Sequence, residues 1–493
     1  MLDEYEQGFS VQDMFQVGGT GICSKRDHVV FHKDKESLLK LLKDFSTLEP
    51  SELRRKYDIG DDSRDWRLNN AIREVETNIK RLEEYIVLCQ YRPFDYRWTY
   101  YTPNSRTFLA YPVYDVFKHM LPPPPPTNPK TPNQTRKNVA LNTPRQLKNN
   151  DKSWTQCFIS SSINDQGLSS GSNGAGVNYP LYQFRDPNYT ENFTPEFRSF
   201  IDKHYNHSFE PLEVLGYIYA LLYSPNYRKR YEEFLKADYA KILFTNNKDL
   251  FRVLSLLGIE LIGLHVLNKE SLNHSFEKLK DATIGESCYK EAHDRIIKKP
   301  AYNEPEQRLY INHSAYFRGV SKEIYHYMIG GYGVLEKYLK SHKDEPCNFD
   351  HVSNIIKVIA RTIEIQKTLG FLTSDLPHLK GNDSQALMQE ILQNPPPPPH
   401  LIPISPLSYR AKPKPSEILT LMPHSSAKKQ AITTSTAEAE DRLSPYSVLP
   451  NLALICDRGS KVSPISNLFV TNMLCDLHVN GSGSYVFLLY RLT

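Results

Sequence analysis

The sequence predicts an α+β protein in which a β-rich unit packs with a helical subdomain, followed by a proline-rich linker and a partial repeat of the β unit. Three observations carry that expectation. Residues 91–190 are aromatic and β-prone, broken by prolines and glycines, as short strands and turns require. Residues 191–373 place apolar side chains at helical spacing. Residues 374–450 are poor in apolar side chains and rich in Pro, Ser, Thr and Ala, the composition of a linker that cannot bury a core.

In chain order, segment 1–90 is charged and helical. Ser37–Phe45 sets Leu38, Leu41, Leu42 and Phe45 on one face, and Trp66–Leu88 continues with Leu68, Ile72, Val75, Ile79, Leu82 and Ile86. These are read as structural amphipathic helices. From Tyr91 the run YRPFDYRWTYYTPNSRTFLAYPVYDVF predicts strands and turns, and LPPPPPTNP an extended loop. NVALNTPRQ and WTQCFISSSI are two expected strands, followed by the loop GLSSGSNGAG and by YPLYQF. Helices are expected over Pro211–Tyr223, stopped by Ser224-Pro225, then around Tyr227, Tyr231, Phe234 and Leu235, over Leu250–Leu267, and over His351–Leu369. Segment 451–493 repeats the β unit in part. Asn138-Val-Ala-Leu with Arg145 matches Asn451-Leu-Ala-Leu with Arg458, Phe158-Ile-Ser with Asp165 matches Phe469-Val-Thr with Asp476, and Tyr179 to Tyr182 matches Tyr485 to Tyr490.

Composition narrows the function classes. A chain of 493 residues suggests about two to four domains. A net charge of +4 is a weak balance, and local charge matters more than the total. Between Lys118 and Lys152 the charged residues are Lys118, Lys130, Arg136, Lys137, Arg145, Lys148 and Lys152 against Asp151 alone. Seven scattered cysteines without a C-x-x-C pair suggest reduced thiols, neither a disulfide framework nor a zinc site. The polar N-terminus MLDEYEQGFS is no signal peptide, and the apolar stretch Leu250–Leu267 is interrupted by Arg252 and Glu260. A cytoplasmic protein without membrane association is expected.

The motif search yields no catalytic, metal or cofactor-binding constellation. Phe15-Gln-Val-Gly-Gly-Thr-Gly21 has glycines but no βαβ pattern with a downstream acid. Asn394-Pro395-Pro396 runs on into prolines without the aromatic that an N-P-P-[Y/F] adenine-methyltransferase loop uses to stack the flipped base. No phosphate-cradling G-x-x-x-x-G-K-[S/T] and no H-E-x-x-H is present. His265 reads as a hydrogen-bonded core histidine, and Asp61, Asp62 and Asp65 as a solvated turn.

Four phrases nevertheless resemble one family in its own order. Gly21-Ile-Cys-Ser-Lys-Arg-Asp27 resembles a G-I-x-[ST]-x-R-D segment of type ISP restriction–modification enzymes, and Tyr91-Arg-Pro-Phe-Asp-Tyr-Arg-Trp-Thr-Tyr-Tyr101 their Y-R-P-F-D-x-R-x-x-Y-Y signature. Tyr217-Ile-Tyr-Ala-Leu-Leu-Tyr-Ser-Pro-Asn-Tyr-Arg228 and the run Ile329-Gly-Gly-Tyr332 with Val334-Leu-Glu-Lys337 are similar to two further motifs. The resemblance runs from about Gly8 to Leu369. It departs where Tyr223 replaces a histidine and where Ala240-Lys-Ile-Leu243 stands for a D-F-P-R-I-P-like stretch.

The family joins nuclease, motor, adenine methyltransferase and target-recognition parts in one polypeptide. The resemblance implies that 1–90 is the trailing edge of a methyltransferase-like domain, 91–190 a target-recognition unit and 191–373 a helical specificity subdomain, whereas the linker 374–450 and the partial repeat 451–493 have no counterpart in a simple family member. It implies a DNA-binding part of an adenine-specific restriction–modification methyltransferase that lacks its own S-adenosylmethionine and N-P-P-Y motifs. Double-stranded DNA is the implied partner, with a methyltransferase/nuclease polypeptide encoded upstream as a second. Affinity would come from Lys and Arg on phosphates, and specificity from Arg on guanine and Asn or Gln on adenine. Arg145 and Gln146 are the first candidates, then Asn142, Arg136 and Lys137. Lys25 and Arg26 are candidate phosphate binders, and Arg92 and Arg97 either touch DNA or pair with Asp95 and its neighbours. The alternatives are a specificity subunit of a split methyltransferase, a decayed fragment, and a scaffold whose proline runs bind aromatic-lined domains.

Overall fold

The structure is a computed structural model that describes residues 1–121, 137–147, 153–169, 174–185, 188–289, 295–374 and 385–399, and strands at 454–455, 463–464, 473–479 and 485–491. It is α+β, with many helices and several small sheets. Two compact units divide the chain, Met1–Ser405 and Pro406–Thr493.

The first unit begins with strand β1 (Gly19–Thr20), helices α1 (Lys35–Phe45) and α2 (Leu68–Thr77), and the hairpin β2 (Ile86–Arg92) and β3 (Asp95–Tyr100). Asp34 caps α1 by accepting the Ser37 amide, and Leu38, Leu41, Leu42 and Phe45 are buried on its inner face, as their spacing predicts. The helix expected over Trp66–Leu88 ends early. After α2 the chain tightens into a 3₁₀ stretch, Ile79–Tyr85, and Ile86 already opens a strand. Leu82 and Ile86 are four apart and so mimic a helical face, but Ile86 and Cys89 are buried from the hairpin. The boundary drawn between 90 and 91 therefore falls inside β2. Helices and hairpin share one hydrophobic core that also takes in Phe108, Phe117 and Met120.

Strands β4 (Ala140–Pro144), β5 (Phe158–Ser160), β6 (Ile163–Asn164) and β7 (Gly176–Pro180) build the β unit. The main sheet has the order β1-β7-β4-β5, with antiparallel pairing throughout, and Leu141 lies opposite both Ile159 and Tyr179. β6 instead pairs in parallel with β2, setting Cys89 beside Ile163. The two sheets are thus stitched by the short turn between β5 and β6.

The helical block is led by α3 (Pro211–Tyr223), α4 (Lys248–His265) and α5 (Phe349–Leu372). α3 and α4 touch backbone to backbone, since a Cβ added to Gly258 would lie 1.8 Å from the Gly216 carbonyl oxygen. The polar stretch between α4 and α5 contains a four-stranded antiparallel sheet that the sequence reading did not anticipate, β8 (Ser287–Cys288), β9 (Ala301–Asn303), β10 (Arg308–Tyr310) and β11 (Tyr316–Phe317), in the order β8-β11-β10-β9. Strands of two or three residues are too short to print an alternation. A tight hairpin, β12 (Met328–Ile329) and β13 (Tyr332–Gly333), follows. Part of the expected linker is ordered: α6 (Gln385–Gln393) buries Met388 against the main core. In the run after it Pro396 and Pro399 are buried while Pro395 and Pro398 are exposed, the three-residue period of one polyproline II face.

In the second unit, Leu454–Ile455 pairs with Ser463–Pro464, and Met473–Val479 with Tyr485–Arg491. Strand Leu454–Ile455 occupies the positions that match Leu141 and Asn142, but Leu454 faces Pro464, not a counterpart of Ile159 or Tyr179. The segment is strand-forming as expected; its pairing is its own. Among the described residues no single helix is long and apolar enough to cross a membrane.

Candidate nucleic-acid interface

β4 places the leading candidates. It is flanked on both sides, by β5 and β7, and all five of its residues are buried, so polar groups reach solvent only at its two ends. Lys137 is exposed where the chain enters and Arg145 and Gln146 where it leaves. Extended chain rises about 3.4 Å per residue, so Lys137 and Arg145 are at most roughly 27 Å apart along the backbone. Arg136 lies outside the described residues.

Arg145 is half-oriented already. Its Nε donates to Asp238 Oδ1 at 3.1 Å, its guanidinium sits 5.9 Å from the Tyr239 ring, and the Leu147 amide ties the loop to the Lys236 carbonyl at 2.9 Å. Both partners of the ion pair are 64% exposed. Such a pair contributes about 0–1 kcal/mol, so it presets the side chain yet releases it to a stronger acceptor. Gln146 is exposed next to it.

Asn142 has another role. It is fully buried, its Nδ2 donates to Asn178 Oδ1 at 2.8 Å, its Oδ1 accepts from the Ser169 hydroxyl, and Asn164 donates to the same Asn178 oxygen at 2.8 Å. An amide committed on both faces inside a sheet cannot reach a base edge, which corrects its assignment as a DNA contact.

Arg92 and Arg97 also belong to the interior. Arg97 makes a two-pronged pair with Asp95, Nε to Oδ1 and Nη2 to Oδ2 both at 2.8 Å. Arg92 donates to Asp165 Oδ1 at 2.6 Å and lies 3.8 Å from the Tyr91 ring centre and 5.5 Å from that of Tyr332. Burial pushes the Asp165 carboxyl up, and the Arg92 charge beside it pulls the other way. The Tyr91 hydroxyl donates to Asp27 at 2.8 Å. Three of the four family-like phrases therefore meet at one cluster, with Asp27 from the first, Tyr91 and Arg92 from the second and Tyr332 from the last.

The last phrase docks through Gly330. Its amide donates to the Thr155 carbonyl at 2.9 Å, and its φ of +59 is left-handed. A Cβ there would lie 1.6 Å from the Ser169 carbonyl oxygen, so only glycine fits. The remaining phrase, on α3, is equally structural: the Tyr223 hydroxyl donates to the Cys157 carbonyl at 2.9 Å, and Arg228 lies 4.5 Å from the Tyr223 ring and 5.6 Å from Trp154. The recognisable phrases thus mark the joints between the β unit and the helical block.

Lys25 and Arg26 split. Lys25 is exposed, with Nζ 4.0 Å from Asp65. Arg26 is drawn inward, donating to the Lys25 carbonyl at 3.0 Å and to the Asp61 carbonyl, its guanidinium 5.4 Å from Trp66. The turn carrying Asp61, Asp62 and Asp65 is a brace: Asp62 accepts from Arg54 at 2.6 Å and from the Leu68 amide at 3.1 Å.

The glycines of residues 15–21 do not form a cofactor cradle. A Cβ at Gly18 would strike the Tyr179 ring at 2.6 Å, and one at Gly21 the Gln166 amide nitrogen at 2.4 Å. Gly18 lets the chain lie against β7 and Gly21 against the turn after β6, so the space a cofactor would need is filled and residues 15–21 do not fit S-adenosylmethionine. Among the described residues no three His, Cys, Asp or Glu side chains cluster as metal ligands would.

A family model described as the Type ISP C-terminal specificity domain matches residues 13–368. No curated protein matches the chain. Several solved structures share its fold, three of which follow. The cryoEM structure of the DrdV–DNA complex has a TM-score of 0.54 at 16% identity over 75% of this chain and 38% of that one. A nuclease-deletion mutant of the Type ISP restriction-modification enzyme LlaGI, in complex with a DNA substrate mimic, gives 0.50 at 20% over 76% and 34%. The ATP-dependent Type ISP restriction-modification enzyme LlaBIII bound to DNA gives 0.53 at 19% over 74% and 24%. The chain thus spans between 24% and 38% of the length of these structures.

Proposed function

The chain belongs to the Type ISP C-terminal specificity family, and from that premise we propose that it recognises duplex DNA on behalf of a restriction–modification enzyme whose methyltransferase is adenine-specific. One observation carries the reading at the level of residues: the central strand β4 delivers Arg145 and Gln146, a guanidinium and an amide of the types that read guanine and adenine edges, side by side to solvent. The Asp238 partner keeps the guanidinium ordered without burying it. That the three fold neighbours are DNA complexes supports the same direction.

S-adenosylmethionine chemistry would fall to a separate methyltransferase part or partner polypeptide, because the space beside the glycines of residues 15–21 is filled by packing against neighbouring segments. The proline-scaffold alternative loses support at the second run, where Pro396 and Pro399 are turned inward; the first run lies outside the described residues. The test is site selection from a randomised duplex pool by the wild type and by Arg145→Ala. The variant is expected to weaken or relax selection at one base pair by about 1–3 kcal/mol; identical selected sites and affinity would remove Arg145 from recognition.

A further inference from the structure

A second basic feature lies away from β4, where a helix that sequence periodicity marks as structural meets the first turns of the β-rich segment. The loop following β3 folds back on α2 and leaves a groove of about 350 Å³ lined by Asn70, Arg73, Asn104, Ser105, Arg106 and neighbours. Its construction is unusual in where the polar groups are spent. The buried Glu74 carboxylate accepts from the Thr102 hydroxyl, from Asn104 Nδ2 at 3.1 Å and from the Phe108 amide at 3.0 Å, clamping both ends of the loop. Asn70 Nδ2 donates to the Arg106 carbonyl at 3.1 Å, and the Thr107 hydroxyl to the Asn104 carbonyl at 2.9 Å. On the α2 side the Thr77 hydroxyl bonds the Arg73 carbonyl at 2.7 Å and Asn78 Nδ2 the Tyr100 hydroxyl at 2.9 Å.

The neutral donors are thus largely committed within the protein, whereas the two guanidiniums are not. Among the described residues neither Arg73 nor Arg106 has a carboxylate or carbonyl bonded to its side chain, although both are exposed on the same groove. Arg106 moreover sits at a left-handed φ of +60, its amide closing a tight turn to the Ala110 carbonyl at 2.9 Å. A non-glycine residue is strained there, and the surrounding bonds enforce it. Two like charges held on one rigid groove, with the sole carboxylate beneath saturated by three donors, suit an anion with several acceptor oxygens.

We propose that this groove is a phosphate site and that the phosphate is one of the DNA backbone. The source of the phosphate rests on the DNA-recognition reading above; the site itself does not. It would fix the duplex against the N-terminal helices while the end of β4 reads bases, the division of labour between positioning and specifying contacts.

The test is the slope of log affinity against log salt for duplex DNA, measured for wild type, Arg73→Ala, Arg106→Ala and the Lys variants at both positions, with inorganic phosphate titrated separately and followed by NMR. Each alanine is expected to reduce the slope by about one, and each lysine to restore it because a point charge still holds a phosphate. Unchanged slopes with phosphate binding that the alanines abolish would overturn the DNA source and leave a free-phosphate site. Unchanged slopes without phosphate binding would overturn the site. A wild type without duplex affinity would overturn the DNA-recognition reading, and the phosphate titration alone would then decide the groove.

Discussion

His265 shows how much one side chain can couple to the whole structure. It is buried among Phe94, Phe158, Tyr219 and Tyr223, and burial, helped by the Arg228 charge, pushes its pKa down to about 3. The hydrogen bonds set its tautomer. Thr362 donates its hydroxyl to the Val358 carbonyl at 2.7 Å and so accepts from Nε2 at 3.1 Å, while Nδ1 accepts from the Tyr219 hydroxyl at 2.7 Å. The unfolded histidine binds a proton near pH 6.5, the folded one only near pH 3. Between those values the unfolded state holds more protons, so this residue's contribution is complete above pH 6.5 and is lost progressively as the pH falls. A shift of this size corresponds to at most about 5 kcal/mol. Denaturant unfolding at pH 7.5 and 4.5 should show a large loss for wild type and a smaller pH-dependent loss for His265→Gln; equal losses would contradict the assignment. The role of His265 was legible in its place on an apolar helix. That of Asn142 was not, because a strand that reads as half-exposed by its neighbours is covered on both edges only once β5 and β7 close on it.

At the scale of elements, the helices with long apolar stripes were legible almost to the residue: Pro211–Tyr223 is α3 as read, and α4 and α5 differ from Leu250–Leu267 and His351–Leu369 only at their ends. Stripe length explains this, since four turns of consistent burial outweigh local preference. The strands β8 to β11 were hidden because two or three residues carry no period, and the switch from helix to strand at Ile86 because Leu82 and Ile86 keep a helical spacing across it. What the stripes did not reveal is how closely α3 and α4 approach. The Gly216–Gly258 contact leaves no room for a methyl group, so Gly258→Ala must separate the helices or bend them. Overpacking of a closed core typically costs about 1–3 kcal/mol, and because the obstruction here is backbone, a loss of about 3 kcal/mol or more is expected in equilibrium unfolding. A variant as stable as wild type would mean that the two helices can slide apart at no cost.

For the whole molecule, the four recognisable phrases identified the family yet are not where the proposed DNA contacts lie. They lie at buried joints, around Arg92 and Asp165, Gly330 and Ser169, and Tyr223 and Cys157, because holding the β unit against the helical block demands specific pairs. Exposed residues proposed to read bases, Arg145 and Gln146, would vary with the target site, and those proposed to hold a backbone phosphate, Arg73 and Arg106, need only their charge, so none of the four carries a motif of its own. The central claim, that this chain presents a surface for duplex DNA, is tested most directly by its affinity for a mixed-sequence duplex across salt. Affinity is expected to fall about a hundredfold between 50 and 200 mM salt, the loss when roughly four phosphate contacts release their counterions. An affinity that is absent at the lowest salt, or that does not change over the range, would contradict it.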